Sequence, residues 1–133
     1  MTGSEVSDGP TVCIDSYGWI EHFTGGPRAA AYGKVMASVD ESRILTPVVV
    51  LYEVYRKIKA TVNEDAAIRH VAALDRTRVA PIDREISLEA ADYSLSHKLH
   101  LSDALIYATA RRFGAELFTS DPALKGLRGV TYV

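Results

Sequence analysis

Four acidic residues stand where predicted strands end or predicted helices begin, and their side chains suit catalysis there as well as capping. Asp15 directly follows the apolar run "TVCI", Asp121 follows "ELFT" by two residues, Asp103 starts "DALIYATARRF", and Glu53 lies within "VVVLYEVYRKIKA". Adjacent carboxylates raise one another's pKa, and a divalent cation removes that cost. Oxygen ligands without a thiolate or a nearby histidine suit Mg²⁺ or Mn²⁺ better than zinc. A cation held there polarises phosphoryl oxygens and generates hydroxide, which suits phosphodiester hydrolysis.

Each of these acids also has a purely structural explanation, and the sequence alone leaves both open. Three of them match helix starts, where such residues cap the helix or suit its dipole: Asp15 with Ser16, Ser102 with Asp103, and Asp121 with Pro122. Glu53 and Lys57 form an i,i+4 pair worth only about 0.2–0.5 kcal/mol. The chain has 17 acidic residues, so some fall at such positions by chance.

Short strands that alternate with helices must position these acids. The predicted strands are residues 11–14, 42–45, 79–82, 116–119 and 129–133. The predicted helices are residues 16–23, 27–39, 47–60, 63–75, 84–98 and 103–113. This order predicts an α/β fold with a mostly parallel sheet. In such a sheet the carboxyl ends of the strands share one edge with the helix starts, and ligands bind along that edge.

Local signals fix several of the helix limits. Gly25-Gly26 ends the first helix, and Gly114 is the expected carboxyl-terminal cap of the last. Residues 48–60 contain many β-branched side chains, which favour a strand, but their length and the Thr46-Pro47 start favour a helix. In the helix over 84–98, an amphipathic stripe contains Leu88, Ala91, Leu95 and Leu99.

The composition fits one domain over residues 11–133, with residues 1–10 as a polar, flexible arm that does not read as a signal peptide. The formal net charge of −2 excludes a global field that attracts nucleic acid or membranes, so a polyanion needs a local basic patch or bound cations.

The single Cys13 permits neither an internal disulfide nor a thiolate-rich zinc site and fits a reducing, cytoplasmic setting. No apolar run approaches the roughly 20 residues that span a bilayer.

The ordered segments "CIDSYGWIEHF" (13–23), "TPVVVLYEVYR" (46–56) and "LSDALIYATARRFGAELFTSD" (101–121) resemble the PIN-domain ribonucleases, and among them the VapC toxins of VapBC toxin–antitoxin pairs. The resemblance spans residues 12–133. It implies a PIN-like α/β/α sandwich and an endoribonuclease that depends on Mg²⁺ or Mn²⁺.

The same resemblance implies roles for individual residues. Asp15 and Asp103 match the positions that most directly bind metal, and Glu53 and Asp121 match acids that hold metal through water or orient the nucleophile. Thr119 matches a hydroxyl at the margin of the site. Ser16 stands where many relatives carry threonine, which keeps the hydroxyl. The implied partners are RNA, including tRNA, a cognate VapB-like antitoxin and a second copy of the chain.

Arg56 and Lys57 are candidates to hold RNA phosphates, because they lie within about one helical turn of Glu53. His97 and His100 have metal-compatible spacing but lie at a helix end without a cysteine partner, which disfavours a metal role. Aromatic side chains on the early helices are assigned to the core by default, with a dimer or antitoxin surface as the alternative: Trp19, Phe23, Tyr52 and Tyr55.

Three other interpretations compete with a toxin. The first is a PIN-fold nuclease of RNA processing. The second is a non-catalytic binding module whose carboxylates are only helix caps. A phosphoacceptor receiver domain is disfavoured, because it needs paired acids at the end of the first strand and Asp15 is alone there.

Overall fold

A computed structural model describes residues 9–133 of the chain. All but the last two residues of the predicted arm lie outside these described residues. Within them, five strands form one sheet: β1 (Val12–Ile14), β2 (Ile44–Pro47), β3 (Arg78–Ala80), β4 (Glu116–Thr119) and β5 (Val130–Tyr132). Six α-helices flank the sheet: α1 (Ser16–Thr24), α2 (Ala29–Ala37), α3 (Val48–Thr61), α4 (Glu64–Leu74), α5 (Arg84–His97) and α6 (Leu101–Phe113).

The sheet is entirely parallel, with strand order β3-β2-β1-β4-β5. β1 lies at its centre, and all three of its residues are buried. Parallel strands joined by helices place helices on both faces of a sheet, which explains why the central strand is uniformly apolar. The predicted α/β/α sandwich is confirmed, and the sheet is more regular than the mostly parallel one that the sequence indicated.

The helix limits follow from local capping. Gly25 and Gly114 adopt left-handed backbone conformations, with φ of 70° and 68°, and end α1 and α6 as predicted. Asn63 caps α4, because its side chain accepts a hydrogen bond from the Ala66 amide at 2.8 Å. Among the described residues no helix is both long and apolar enough to cross a membrane.

Two predictions about β2 and α3 are wrong in detail. Thr46 and Pro47 belong to β2 rather than to a capped helix start, and residues 41–43 form a 3₁₀ turn before the strand. The Thr46 hydroxyl lies 2.6 Å from the Thr77 hydroxyl instead of capping α3. Pro47 is the last residue of β2, where it lacks the N–H that would donate one ladder bond. The helical assignment of residues 48–60 itself is confirmed.

Of the four residues on the amphipathic stripe predicted for α5, three are exposed, and only Leu99, beyond the end of that helix, is buried in the core. Leu88 and Leu95 are 52% and 84% exposed, whereas the helix buries Ile86 and Ala90 instead. Because α5 packs along α6, the buried face is set by its neighbour and not by the longest apolar stripe.

Candidate active site

The four predicted acids line one cleft of about 710 Å³ at the carboxyl edge of the sheet. Asp15 directly follows β1, and Asp121 lies two residues beyond the end of β4. Asp103 lies in the first turn of α6 and Glu53 in the second turn of α3. Since every strand of the described sheet runs the same way, their carboxyl ends and the following helix starts meet at this edge. The structure therefore brings together all four.

Asp15 is both a helix cap and a wall of the cleft. Its Oδ1 accepts a hydrogen bond from the Gly18 amide at 2.8 Å, which caps α1, and its Oδ2 accepts one from the Thr119 hydroxyl at 2.6 Å. Burial raises the pKa of Asp15, while the hydrogen bonds from Thr119, Gly18 and Tyr32 lower it and offset part of that effect. The capping and functional interpretations of this residue are therefore compatible.

Thr119 joins two of the acids at the end of β4. The side chain is fully buried, and its hydroxyl donates to Asp15 while it accepts the Asp121 amide at 3.0 Å. Asp121 then caps a short 3₁₀ turn, because its Oδ1 accepts the Ala123 amide at 2.9 Å. The Thr119 hydroxyl, predicted at the margin of the site, thus connects Asp15 to the backbone of Asp121 through two hydrogen bonds.

Asp103 carries the clearest electrostatic signature in the cleft. Burial raises its pKa from 3.8 to about 7, and a hydrogen bond with Asp121 and the negative charges of Asp121, Glu53 and Asp15 act in the same direction. Burial and the neighbouring acids therefore both disfavour the ionised form of Asp103.

Glu53 is held by the other predicted hydroxyl. The Ser16 side chain donates to Glu53 Oε1, which ties the start of α1 to α3. The predicted pair of Glu53 with Lys57 is absent from the ion pairs of residues 9–133. Lys57 instead lines the cleft, as does Arg56, and both are exposed.

The donor set fits a divalent cation in its chemistry. The cleft is lined by four carboxylates and three serine hydroxyls, without thiolate or imidazole, and such oxygen ligands suit Mg²⁺ or Mn²⁺. As placed, no three acidic, histidine or cysteine side chains of the described residues converge closely enough to hold an ion. Both carboxylate oxygens of Asp15, and one oxygen each of Glu53 and Asp121, accept hydrogen bonds from neighbouring hydroxyls and amides. His97 and His100 do not line the cleft.

Tyr32 reaches the site although no sequence pattern predicts that it lies there. Its ring is fully buried, and its hydroxyl lies 2.6 Å from the Ser120 hydroxyl and close enough to Asp15 to lower the pKa of that carboxyl. Gly18 makes room for the ring, because a Cβ at that position would lie 2.4 Å from Tyr32 Cε1. A glycine three residues after the acid was the only available signal of this close approach.

The aromatic side chains of α1 and α3 divide between core and surface. Trp19 is buried, as the default assignment predicted, and Phe23 is partly buried with its ring stacked on His70 at 4.1 Å between centroids. Tyr55 is also partly buried. Tyr52 is 64% exposed and lines the cleft, so its assignment to the core is wrong.

Two further residues of the cleft were missed by sequence reasoning. Tyr17 is 46% exposed and lies beside Ser16 in the chain, so its position next to a predicted site residue was a usable signal. Arg28 lines the cleft from the loop before α2, and its guanidinium donates to the Val133 carbonyl at 2.8 Å. No sequence pattern marks Arg28, since only the tertiary structure brings that loop to the sheet edge.

Comparison with known proteins places this geometry in context. The family model described as "PIN domain" matches residues 12–130. A toxin–antitoxin complex from Klebsiella pneumoniae has a similar structure, with a TM-score of 0.79 and 23% identity over 91% of this chain and 96% of that one. No significant match was found among curated proteins.

Two other solved structures share the fold. Mycobacterium tuberculosis VapC20, a toxin that cleaves the sarcin–ricin loop, has a TM-score of 0.73 and 20% identity over 90% of this chain and 98% of that one. The DNA-bound VapBC of Salmonella typhimurium has a TM-score of 0.73 and 12% identity over 93% and 97% of the two chains. At these identities the likeness establishes the fold.

Proposed function

The chain belongs to the PIN domain family, and from this premise we propose that it is a metal-dependent endoribonuclease that acts as the toxin of a toxin–antitoxin pair. Three observations on similar structures support the toxin assignment. The Klebsiella and Salmonella structures are toxin–antitoxin complexes, and the Mycobacterium protein is an RNA-cleaving toxin. The protein would act in the cytoplasm, on RNA such as tRNA, and a VapB-like antitoxin would neutralise it.

The observation that carries the nuclease proposal is the accumulation of four carboxylates in one cleft, with the pKa of Asp103 raised to about 7. Such mutual repulsion destabilises a protein unless the charges serve a ligand. The natural ligand of an acidic, oxygen-only cleft is a divalent cation.

Asp15 and Asp103 would hold the cation, with Asp121 and Glu53 supporting it directly or through water. When bound, Mg²⁺ or Mn²⁺ supplies charge for the phosphodiester oxygens and lowers the pKa of water. The chain's own hydrogen bonds orient the ligands: the Thr119 hydroxyl fixes one oxygen of Asp15, and the Ser16 hydroxyl fixes Glu53. Arg56 and Lys57, exposed at the same cleft, would hold the substrate phosphates.

The central test is RNA cleavage by an Asp15→Asn variant. Asparagine caps a helix about as well as aspartate, so α1 and the fold should survive. Cleavage should fall by at least about 100-fold, because metal-based charge stabilisation is worth several kcal/mol and about 1.4 kcal/mol is tenfold in rate. Asp92→Asn is the matched control, since it removes the same charge from an exposed position outside the cleft. Cleavage at the wild-type rate by the Asp15→Asn variant would refute the assignment.

A non-catalytic module is the second candidate, because Asp15 and Asp121 do cap helical turns. The two candidates differ in their response to metal. A nuclease site gains thermal stability on addition of Mn²⁺ by mass action and loses activity in excess EDTA, whereas caps alone give neither effect. Restoration of cleavage by Mg²⁺ or Mn²⁺ after EDTA would exclude the module.

A toxin role and a role in RNA processing share the same chemistry and differ in partners. The toxin predicts growth arrest on expression, relief by Asp103→Asn, and rescue by an antitoxin encoded beside it. We further expect a homodimer, which the mass in solution from light scattering would test. Growth that continues during expression of a wild-type protein with proven cleavage activity would favour RNA processing.

A further inference from the structure

An aromatic and basic stripe runs along α3 away from the acidic cleft. Tyr52, Tyr55, Arg56 and Lys59 are three and four residues apart and therefore share one face of the helix. They line a second, shallow cleft of about 530 Å³, and Tyr52 and Arg56 belong to both clefts. The α3 stripe, as we name these four residues, thus leads directly out of the acidic cleft.

A second exposed ring stands at the mouth of the acidic cleft. Tyr17, on α1, is 46% exposed and Tyr52 is 64% exposed, and both line this cleft. Within residues 9–133 neither ring is paired with another aromatic ring or lies under a cation. Two aromatic rings beside four carboxylates therefore remain available to a ligand that has π-faces of its own.

The exposed cations of α3 suit phosphate groups. Arg56 and Lys57 line the acidic cleft, are exposed, and take part in none of the ion pairs of the described residues. Lys59 lies farther along the helix, 3.1 Å from Glu64. With a net charge of −2 the protein has no global attraction for a polyanion, so these local cations must supply it.

We propose that Tyr17, the α3 stripe and the neighbouring Lys57 bind single-stranded RNA, with unpaired bases stacked on Tyr17 and Tyr52 and the flanking phosphates held by Arg56 and Lys57. This inference rests on RNA being the substrate of the acidic cleft. Basic side chains interleaved with aromatic rings are how proteins bind single strands, because every base has a face on which to stack. Paired RNA keeps those faces inside the helix, so the site selects loops and other unpaired segments.

Fluorescence anisotropy with three labelled RNA probes of equal phosphate number tests the proposal. The probes are a single strand, a duplex and a single strand without bases, and the full-length protein carries Asp15→Asn so that the probes remain intact. Tyr52→Ala and Tyr17→Ala should each weaken single-strand binding by about 5- to 150-fold, the range for loss of one stacked base. Binding of the abasic strand should not change, since it has no base to stack.

Two variants serve as controls. Tyr52→Phe keeps the ring and should retain single-strand affinity. Tyr132→Ala removes a ring that is 37% exposed but lies outside both clefts, and it should have no effect on any probe.

The outcomes separate this inference from the nuclease proposal. Equal losses on the single and abasic strands would overturn base stacking, and unchanged affinity in both alanine variants would overturn it in favour of a protein partner for the rings. Loss of cleavage in Asp103→Asn alongside unchanged affinity in the tyrosine variants would refute only the stacking site. A wild-type protein that cleaves no RNA with Mn²⁺, but whose Tyr52→Ala variant loses single-strand affinity, would support the stacking site and refute the nuclease.

Discussion

Replacing Asp103 by asparagine should stabilise the metal-free protein while it removes the response to metal. The pKa of Asp103 is raised from 3.8 to about 7, first by burial and then by Asp121 and the other acids of the cleft. In metal-free protein above neutral pH the ionised carboxylate is therefore a source of instability. Asparagine removes that charge, keeps the shape and can donate a hydrogen bond to Asp121.

The size of this effect follows from the pKa difference. The difference between a pKa of 3.8 and one of about 7 corresponds to about 4 kcal/mol for a fully buried group. Because Asp103 is only partly buried, solvent screening reduces the expected gain to about 1–2 kcal/mol. An unfolding entropy of about 2.1 cal/mol/K per residue then gives a rise in Tm of about 4–7 °C for a chain of this length.

The dependence on pH provides the sharper assay. Between about pH 4 and pH 7 the native protein binds a proton that the unfolded chain has released, so wild-type stability falls as the pH rises through this window. Melting in EDTA should thus show a small difference between Asp103→Asn and wild type near pH 4 and the full difference near pH 8. Asp92→Asn, which is exposed, controls for the change in net charge. An equal gain at both pH values, or none near pH 8, would refute the reasoning.

Metal should reverse the order of the two proteins. At a free Mn²⁺ concentration about 100 times the Kd, binding contributes about 2.7 kcal/mol to the wild type. The Asp103→Asn variant loses a ligand and should gain much less, so the wild type becomes the more stable protein. A variant that gains as much as the wild type would exclude Asp103 from the metal site.

Two other substitutions probe the supports of the site. Thr119→Val removes the hydrogen-bond donor to the buried Asp15 carboxylate and should lower the free energy of unfolding, measured in urea, by about 1–3 kcal/mol. Cleavage should fall more than in the control Thr131→Val, which alters an exposed threonine. Equal effects of the two substitutions would contradict the role of Thr119. Gly18→Ala forces the Tyr32 ring to move and should lower the free energy of unfolding by about 1–3 kcal/mol. The control Gly33→Ala should be neutral or stabilising, because its Cβ would lie 3.7 Å from its nearest neighbour. A Gly18→Ala protein with the wild-type Tm would show that the ring adapts freely.

The order of elements was predictable because its signals are local. The acids that follow β1 and β4 were recognisable from an apolar run that stops at a polar residue, and the ends of α1 and α6 from glycines at left-handed positions. An all-parallel sheet then fixes which ends share an edge. The cleft could therefore be located before any side-chain position was known.

The misplaced features depend on tertiary contacts that no local pattern records. In α5, Leu88 and Leu95 form a better stripe than Ile86 and Ala90, yet packing against α6 buries the second pair. Tyr52 occupies a helix that buries Val50, Val54 and Ile58 on another face, so its exposure follows from how α3 packs on the core. Tyr32 lies in a segment with no polar pattern, and its contact with the site requires the missing Cβ of Gly18.

The strand order also determines the point during translation at which all residues of the site have been made. β1 is made first, but its neighbour β4 and the acid Asp121 come from the last fifth of the printed sequence. A chain emerging from the ribosome in order therefore carries Asp15 and Glu53 long before it can form the wall that Thr119 and Asp121 provide. An unfinished chain that stops before β4 contains three of the four acids but neither Thr119 nor Asp121, so the translation machinery that makes the protein is not exposed to the full set of acids until β4 and Asp121 have been made.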